Sequence, residues 1–322
     1  MSAQRKSHRE LARTLFLGSG GFAVPILDAL AASPDLQLVA IVTAPDRPSG
    51  RHGELTAVPV ARRARELGLP LLQPDRVRTP ATIAAIAELQ PDLGVLADYG
   101  QIIPPAVLAI PVHGILNVHP SALPRHRGAT PIAATIAAGD PVAAVSLIQM
   151  DEGLDSGPLI EQEMWPLTGT ETAPELESEA ARRGAALLLR NIDGWLRGAR
   201  SAMPQPAAGV TLTRPLRRED GRLDSTRSGV ELERQVRAHL PWPGSFIETA
   251  EGRLIVHAAQ AAAAEPFDQP GRLVADGDGL ALTTSEGRLR LLEVQLAGRR
   301  TTDAASLRRG APGLAGRPIE LR

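Results

Sequence analysis

Short, continuously apolar runs alternate with amphipathic stretches over the first two-thirds of the chain. Thr14–Gly18 is apolar and ends in glycines, which predicts a buried strand. Phe22–Ala32 follows with helical spacing, then Leu36–Thr43 as a second buried strand. Val60–Leu67 and Ala81–Leu89 read as helices, and Leu93–Ala97, Gly114–Val118 and Val142–Met150 as further strands. Strands alternating with helices imply βαβ units around a mostly parallel sheet. Glu175–Leu196 carries the clearest helical pattern. Thr172 and Glu175 form a capping box with Pro174 in the first turn, and Gly198 stands past the end.

The pattern then changes. Ser201–Val210 is rich in Pro and Ala and reads as a linker. After a helical stretch at Val230–His239 come five short strands: Ser245–Thr249, Arg253–His257, Gly271–Ala275, Gly279–Thr283 and Arg288–Val294. Short strands separated by Gly and Asp turns predict a small barrel of the oligonucleotide-binding type. The expected class is α/β: a Rossmann-like, mostly parallel sheet in a domain over 1–200, a linker over 201–217, and a smaller OB-like β-barrel over 218–322.

Composition narrows this picture. With 43% hydrophobic and only 2% aromatic residues, the cores must be built from Leu, Val, Ile and Ala. Lys6 is the single lysine, so positive charge is carried by arginine. Cysteine is absent, which excludes disulfides, thiolate catalysis and Cys-based zinc sites and fits a reducing cytoplasm. No apolar run reaches the roughly 18–20 residues that span a bilayer, so no membrane role is expected. A net charge of −1 excludes a surface uniformly attractive to nucleic acid, but leaves room for a local basic face.

Two stretches carry candidate chemistry. Gly18-Ser-Gly20-Gly-Phe-Ala23 matches the dinucleotide fingerprint after a strand and before a helix, with Asp46 as a candidate ribose acid. An NAD(P)-dependent oxidoreductase is therefore one reading. The other is that any such fold needs small residues at its first strand-to-helix turn. The second stretch runs from Gly114 to Pro131. Asn117 and His119 are two apart on a strand and share a face. Downstream, Met150-Asp-Glu-Gly-Leu-Asp155-Ser-Gly157 adds carboxylates in a loop. An amide, an imidazole and a carboxylate together suit acyl transfer to an amine. Asn117 can hold the oxyanion, His119 can donate to it or take a proton, and Asp155 can orient the ring. Turn chemistry, a satisfied polar pair, or metal ligation by Asn117, His119 and a carboxylate remain alternatives.

The order Asn117-Val-His119-Pro-Ser121-Ala122-Leu123-Pro124-Arg125-x-Arg127-Gly128, followed by Gln149-Met-Asp-x-Gly-Leu-Asp155-x-Gly157, resembles the 10-formyltetrahydrofolate-dependent formyltransferases. The resemblance implies Asn117, His119 and Asp155 as the catalytic trio, 10-formyltetrahydrofolate as the formyl donor, and no metal. It places Ser121, Ala122, Leu123 and Pro124 at the folate, with Tyr99, Gly100, Gln101 and Ile102 beside the pteridine. Asp46-Arg47-Pro-Ser-Gly-Arg51, Pro241-Trp-Pro-Gly244 and Gly298-Arg-Arg300 are similar to motifs of the branch whose acceptor is initiator methionyl-tRNA. Carried over, Arg47 and Arg51 belong to a loop that meets the acceptor stem; where family lysines are missing, Arg214, Arg217 and Arg218 are expected to supply positive charge for phosphate. Glu54 stands where that loop tends to carry lysine, and Asp98 where a small apolar residue usually precedes Tyr99-Gly100. A formyltransferase acting on a sugar nucleotide or other small amine is the nearest alternative. A cytoplasmic monomer is expected.

Overall fold

The computed structural model describes residues 11–49 and 54–319. They fall into two compact units, each assembled from separated stretches of chain. One lies within Met1–Ala129, Ala144–Trp165 and Glu177–Leu212; the other within Thr130–Ala143, Pro166–Leu176 and Thr213–Arg322.

The first unit is organised by a seven-stranded sheet. β1 (Ala12–Gly18) and β2 (Leu36–Val42) are followed by a hairpin of β3 (Arg47–Ser49) and β4 (Glu54–Thr56). Then come β5 (Leu71–Leu72), β6 (Leu93–Ala97), β7 (Ile115–His119), the two-residue β8 (Arg127–Gly128), β9 (Val142–Gln149) and β10 (Leu159–Pro166). The sheet order is β10-β9-β7-β6-β1-β2-β5. The five strands from β7 to β5 pair in parallel, and β9 runs antiparallel to β7. The connecting helices are α1 (Ala23–Ala31), α2 (Pro59–Glu66), α3 (Pro80–Glu88) and α4 (Pro105–Leu108). The strand order reverses between β1 and β6, the kind of crevice at which open α/β sheets take ligands. Leu15, Leu17, Val42, Ile86 and Ile115 form one core cluster against the sheet, as the continuous apolar runs predict.

Elements that escape the hydrophobic pattern include one helix and one long strand. α5 (Pro131–Ala138) is apolar except for the buried Thr135, so it shows no helical face; Pro131 opens it and Gly139, at φ +68°, closes it. β10 is an edge strand loaded with Glu161 and Glu163. Their charges are met by α6 (Ala173–Leu196), through Arg190–Glu161 (2.8 Å), Arg190–Glu163 (2.7 Å) and Arg183–Glu163 (2.9 Å). Of the predicted capping box, the return bond is present, with Thr172 N donating to Glu175 Oε2 at 2.9 Å.

β11 (Leu212–Thr213) leads on to α7 (Gly229–Ala238), started by a Ser228–Glu231 capping box. The sheet of the second unit contains β12 (Ser245–Thr249), β13 (Gly252–Ala262), β14 (Arg272–Asp276), β15 (Gly279–Thr283), β16 (Arg288–Leu296) and β17 (Thr302–Asp303). After α8 (Ala304–Gly310) comes β18 (Arg317–Pro318). The order is β12-β13-β16-β15-β14-β18, with β17 on β16, and the pairings are antiparallel. Register shifts between Val256 and Ala259 add the twist that curls such a sheet. Leu223, Leu232, Leu254, Leu280, Leu289 and Leu296 fill the curl. The result is an OB-like domain.

Candidate active site

β7 supplies two polar side chains. It is an interior strand, with Asn117 flanked by Leu96 of β6 and Ile148 of β9. Val118 points to the opposite face and packs close to Gly184 of α6. Asn117 and His119 share the other face and are only 4% and 5% exposed. Buried groups of this polarity need partners.

The third group arrives by a longer route. Because β9 runs antiparallel to β7, its last residue, Gln149, lies beside Leu116, well short of the carboxyl end of β7. The β9–β10 hairpin is closed by Gln149 N donating to Pro158 O (3.0 Å). Its loop turns back over the face of β7. Asp151 Oδ1 shapes the turn, accepting from Gly153 N (3.0 Å) and Ser156 Oγ (2.9 Å). Gly157 passes so close to the Gln149 carbonyl that a Cβ has no room. Asp155 sits at φ +49°. That left-handed conformation costs a residue with a side chain on the order of 1–2 kcal/mol.

The three side chains meet. Asn117 Nδ2 donates to Asp155 Oδ1 at 3.2 Å, and Gly128 N donates to Asp155 Oδ2 at 2.8 Å. His119 Nδ1 lies 3.7 Å from Asp155 Oδ2, an ion-pair separation too long for a direct hydrogen bond. His119 Nε2 is 3.1 Å from His126 O. A carbonyl only accepts, so Nε2 carries the hydrogen and donates. The ring is held between two oxygens, and when protonated it presents a hydrogen to each.

Behind the trio, Gln205 Nε2 donates to Asp155 O and to Gly157 O, both at 2.8 Å. Arg127 in turn donates to Gln205 Oε1 from Nε (3.0 Å) and Nη2 (2.6 Å). Gln205 lies within the segment that reads as a linker. That segment runs along the first unit, with Met203 bridging Leu159 and Thr211 O accepting from Arg127 N at 3.0 Å. Only the flanking prolines, Pro204 and Pro206, mark Gln205 in the sequence, and they argue for rigidity without naming a partner.

The Ser121–Pro124 turn is held from inside. Ser146 Oγ donates to Ser121 O (2.6 Å), Ser121 Oγ donates to Arg125 O (2.8 Å), and Gln162 Nε2 donates to Leu123 O (3.2 Å). Ser121 and Leu123 are buried, while Ala122 and Pro124 are partly accessible. Residues Tyr99–Ile102 divide. Tyr99 is buried, its hydroxyl has no partner among the described residues, and burial pushes its pKa up to about 12. Gln101 Oε1 accepts from Val77 N at 3.0 Å. Gly100 and Ile102 are exposed, Ile102 by 84%. Of the arginines, Arg47, Arg217 and Arg218 are exposed, Arg214 pairs with Asp220 at 2.6 Å, and Arg51 lies outside the described residues.

The glycine loop has a different occupant from the one its fingerprint suggests. Ser19 N and Gly20 N donate to Asp98 O at 2.9 and 3.3 Å. The Asp98 carboxylate covers Gly20, and Glu177 lies against Gly21 and accepts from the backbone of Phe22 at the start of α1. The place where a pyrophosphate would sit is thus taken by the protein's own carboxylates. Burial raises the pKa of Asp98, and burial together with the Asp98 charge raises that of Glu177. Asp98 as a whole residue is nonetheless exposed, so solvent screens its carboxyl. Asp46, the candidate ribose acid, is paired with Gln73 (2.7 Å) and Arg65 (2.9 Å). Among the described residues, no group of three or more His, Asp or Glu side chains is disposed to hold a metal.

An α/β sheet bearing this trio, followed by a curled antiparallel domain, defines a class. Residues 12–192 match the family model for formyl transferase, and residues 215–312 that for formyl transferase, C-terminal domain. The chain belongs to the formyl transferase family. It is 42% identical to the methionyl-tRNA formyltransferase of Roseiflexus sp. (strain RS-1) over 299 residues, 92% of each chain. It is also 42% identical to the methionyl-tRNA formyltransferase of Halorhodospira halophila (strain DSM 244 / SL1) over 310 residues, 96% of this chain and 99% of that one. Among solved structures, the N-formyltransferase from Helicobacter canadensis, in complex with folinic acid and dTDP-3-aminofucose, superposes with a TM-score of 0.66. That match has 14% identity and covers 87% of this chain and 99% of the other, a likeness of fold.

Proposed function

We propose that this chain transfers the formyl group of 10-formyltetrahydrofolate to the α-amine of methionyl initiator tRNA. The observation that carries the reading is the convergence of Asn117, His119 and Asp155 in a chain 42% identical, over nearly its whole length, to methionyl-tRNA formyltransferases. In this reading residues 1–200 hold the chemistry, 218–322 hold the RNA, and 201–217 join them. Arg47, Arg51, Arg214, Arg217 and Arg218 meet phosphate, and the Ser121–Pro124 and Tyr99–Ile102 segments line the folate.

The amine nitrogen attacks the formyl carbon, the bond from that carbon to N10 breaks, and one amine proton ends on N10. Asn117 Nδ2 has two hydrogens and spends one on Asp155. The other is available to the developing oxyanion, and a donor of this kind lowers barriers by roughly 3–4 kcal/mol. Asp155, the least buried of the three side chains, takes the amine proton. His119 Nδ1 faces Asp155 Oδ2 and, with the ring hydrogen on Nε2, is placed to share that proton until it is delivered to N10.

The test is a formylation assay with charged initiator tRNA, 10-formyltetrahydrofolate and a panel of amino-sugar nucleotides. Turnover on the tRNA alone is expected. Turnover confined to the sugars would overturn the acceptor, and none on either would overturn the chemistry.

A further inference from the structure

One side chain in the segment that reads as a linker divides its hydrogen bonds between the Asp155 loop and Arg127. Gln205 gives both amide hydrogens to carbonyls, Asp155 O and Gly157 O, each at 2.8 Å. Its oxygen receives both arms of Arg127, at 3.0 and 2.6 Å. A carboxylate in its place has no donor, and an ammonium has no acceptor. The two carbonyls it holds belong to the residue in the left-handed conformation and to the glycine that lets the hairpin close. Arg127 precedes Gly128, whose amide donates to the Asp155 carboxylate at 2.8 Å. Asp155 is therefore gripped at both ends: its side chain by the backbone of Gly128, its carbonyl by Gln205. The planar guanidinium fixes the plane of the Gln205 amide.

We infer that Gln205, seated by Arg127, is a positioning residue that fixes the Asp155 carboxylate against Asn117 and His119 during formyl transfer. This rests on the reading of Asp155 as part of the catalytic group. A residue that merely braced the fold would alter stability and substrate binding along with turnover. A residue that positions one reacting group lowers kcat and leaves both KM values in place.

Gln205→Glu keeps the size and the Arg127 pairing, removes both donors, and sets a negative charge beside two carbonyls. In the full-length enzyme kcat is expected to fall about 10- to 100-fold, as small misplacements of reacting groups do, with both KM values within about twofold. In an Asp155→Asn background the same change should cost less than about twofold more, since the group it positions is already gone. Gln205→Met removes the donors without adding charge. It should give the same pattern, and it serves if Gln205→Glu fails to fold. Turnover within about twofold of the parent in either variant, or losses that multiply in the Asp155→Asn background, would overturn the inference. If Asp155→Asn itself keeps parental kcat, the catalytic reading falls and takes the inference with it.

Discussion

Two corners of one sheet treat their carboxylates in opposite ways. At the β7–β9 corner, Asp155 accepts from Asn117 and Gly128, faces His119, and has its own backbone held by Gln205. At the β1–β6 corner, Asp98 and Glu177 interact as like charges, and burial raises the pKa of both. The first arrangement surrounds a carboxylate with donors. The second fills with side chains the space that a fingerprint of glycines reserves, in other proteins, for phosphate. A motif thus gives the shape of a turn, and only the groups around it decide whether a ligand enters.

The largest test of this contrast is His119→Ala. It removes the ring from between Asp155 and His126 O, and kcat is expected to fall by roughly 10²- to 10⁴-fold. A thermal melt should move by only a few degrees. Near-parental turnover would place the chemistry elsewhere. Next comes Gly157→Ala, whose methyl group meets the Gln149 carbonyl and forces the hairpin open. A loss of about 1–3 kcal/mol in stability is expected from such overpacking. Turnover should fall about tenfold or more with it, because Asp155 no longer reaches Asn117. A variant with parental melting and rate would show that the loop does not need its present path.

The smallest effect belongs to the other corner and is a matter of pH. A carboxyl whose folded pKa is raised favours the folded state below its unfolded value, near 4. That advantage is lost as pH rises through the folded value. Asp98→Asn and Glu177→Gln should therefore melt higher than the parent at pH 8, by about 1–3 °C. At pH 4 the difference should vanish. The gain is held small because water reaches Asp98. An equal gain at both pH values would mean that the two carboxyls do not titrate as described.

Much of this architecture is legible in the chain's own pattern of residues. The buried strands β1, β2, β6, β7 and β9 announce themselves as apolar runs, and α6 by its periodicity and Thr172–Glu175 cap. Asn117 and His119 fall on one face because strand geometry has a period of two. Other parts are hidden for physical reasons. β10 does not look like a strand because Glu161 and Glu163 are neutralised by arginines twenty or more residues away. α5 has no polar face to set its period. Gln205 gains its meaning from partners 48 to 78 positions distant, which spacing along a chain does not reveal. Nor does spacing tell that Asp98, an unusual residue beside Tyr99, occupies the glycine turn.

The antiparallel run of β9 has one more consequence. The span from Gln149 to Pro158 is a tether of fixed length, anchored at both ends by the hairpin and obliged to deliver one carboxylate to one address. Residues along it are free to vary in kind wherever they face water. Adding or deleting even one would carry Asp155 past its mark, so related chains and engineered variants alike should keep the count.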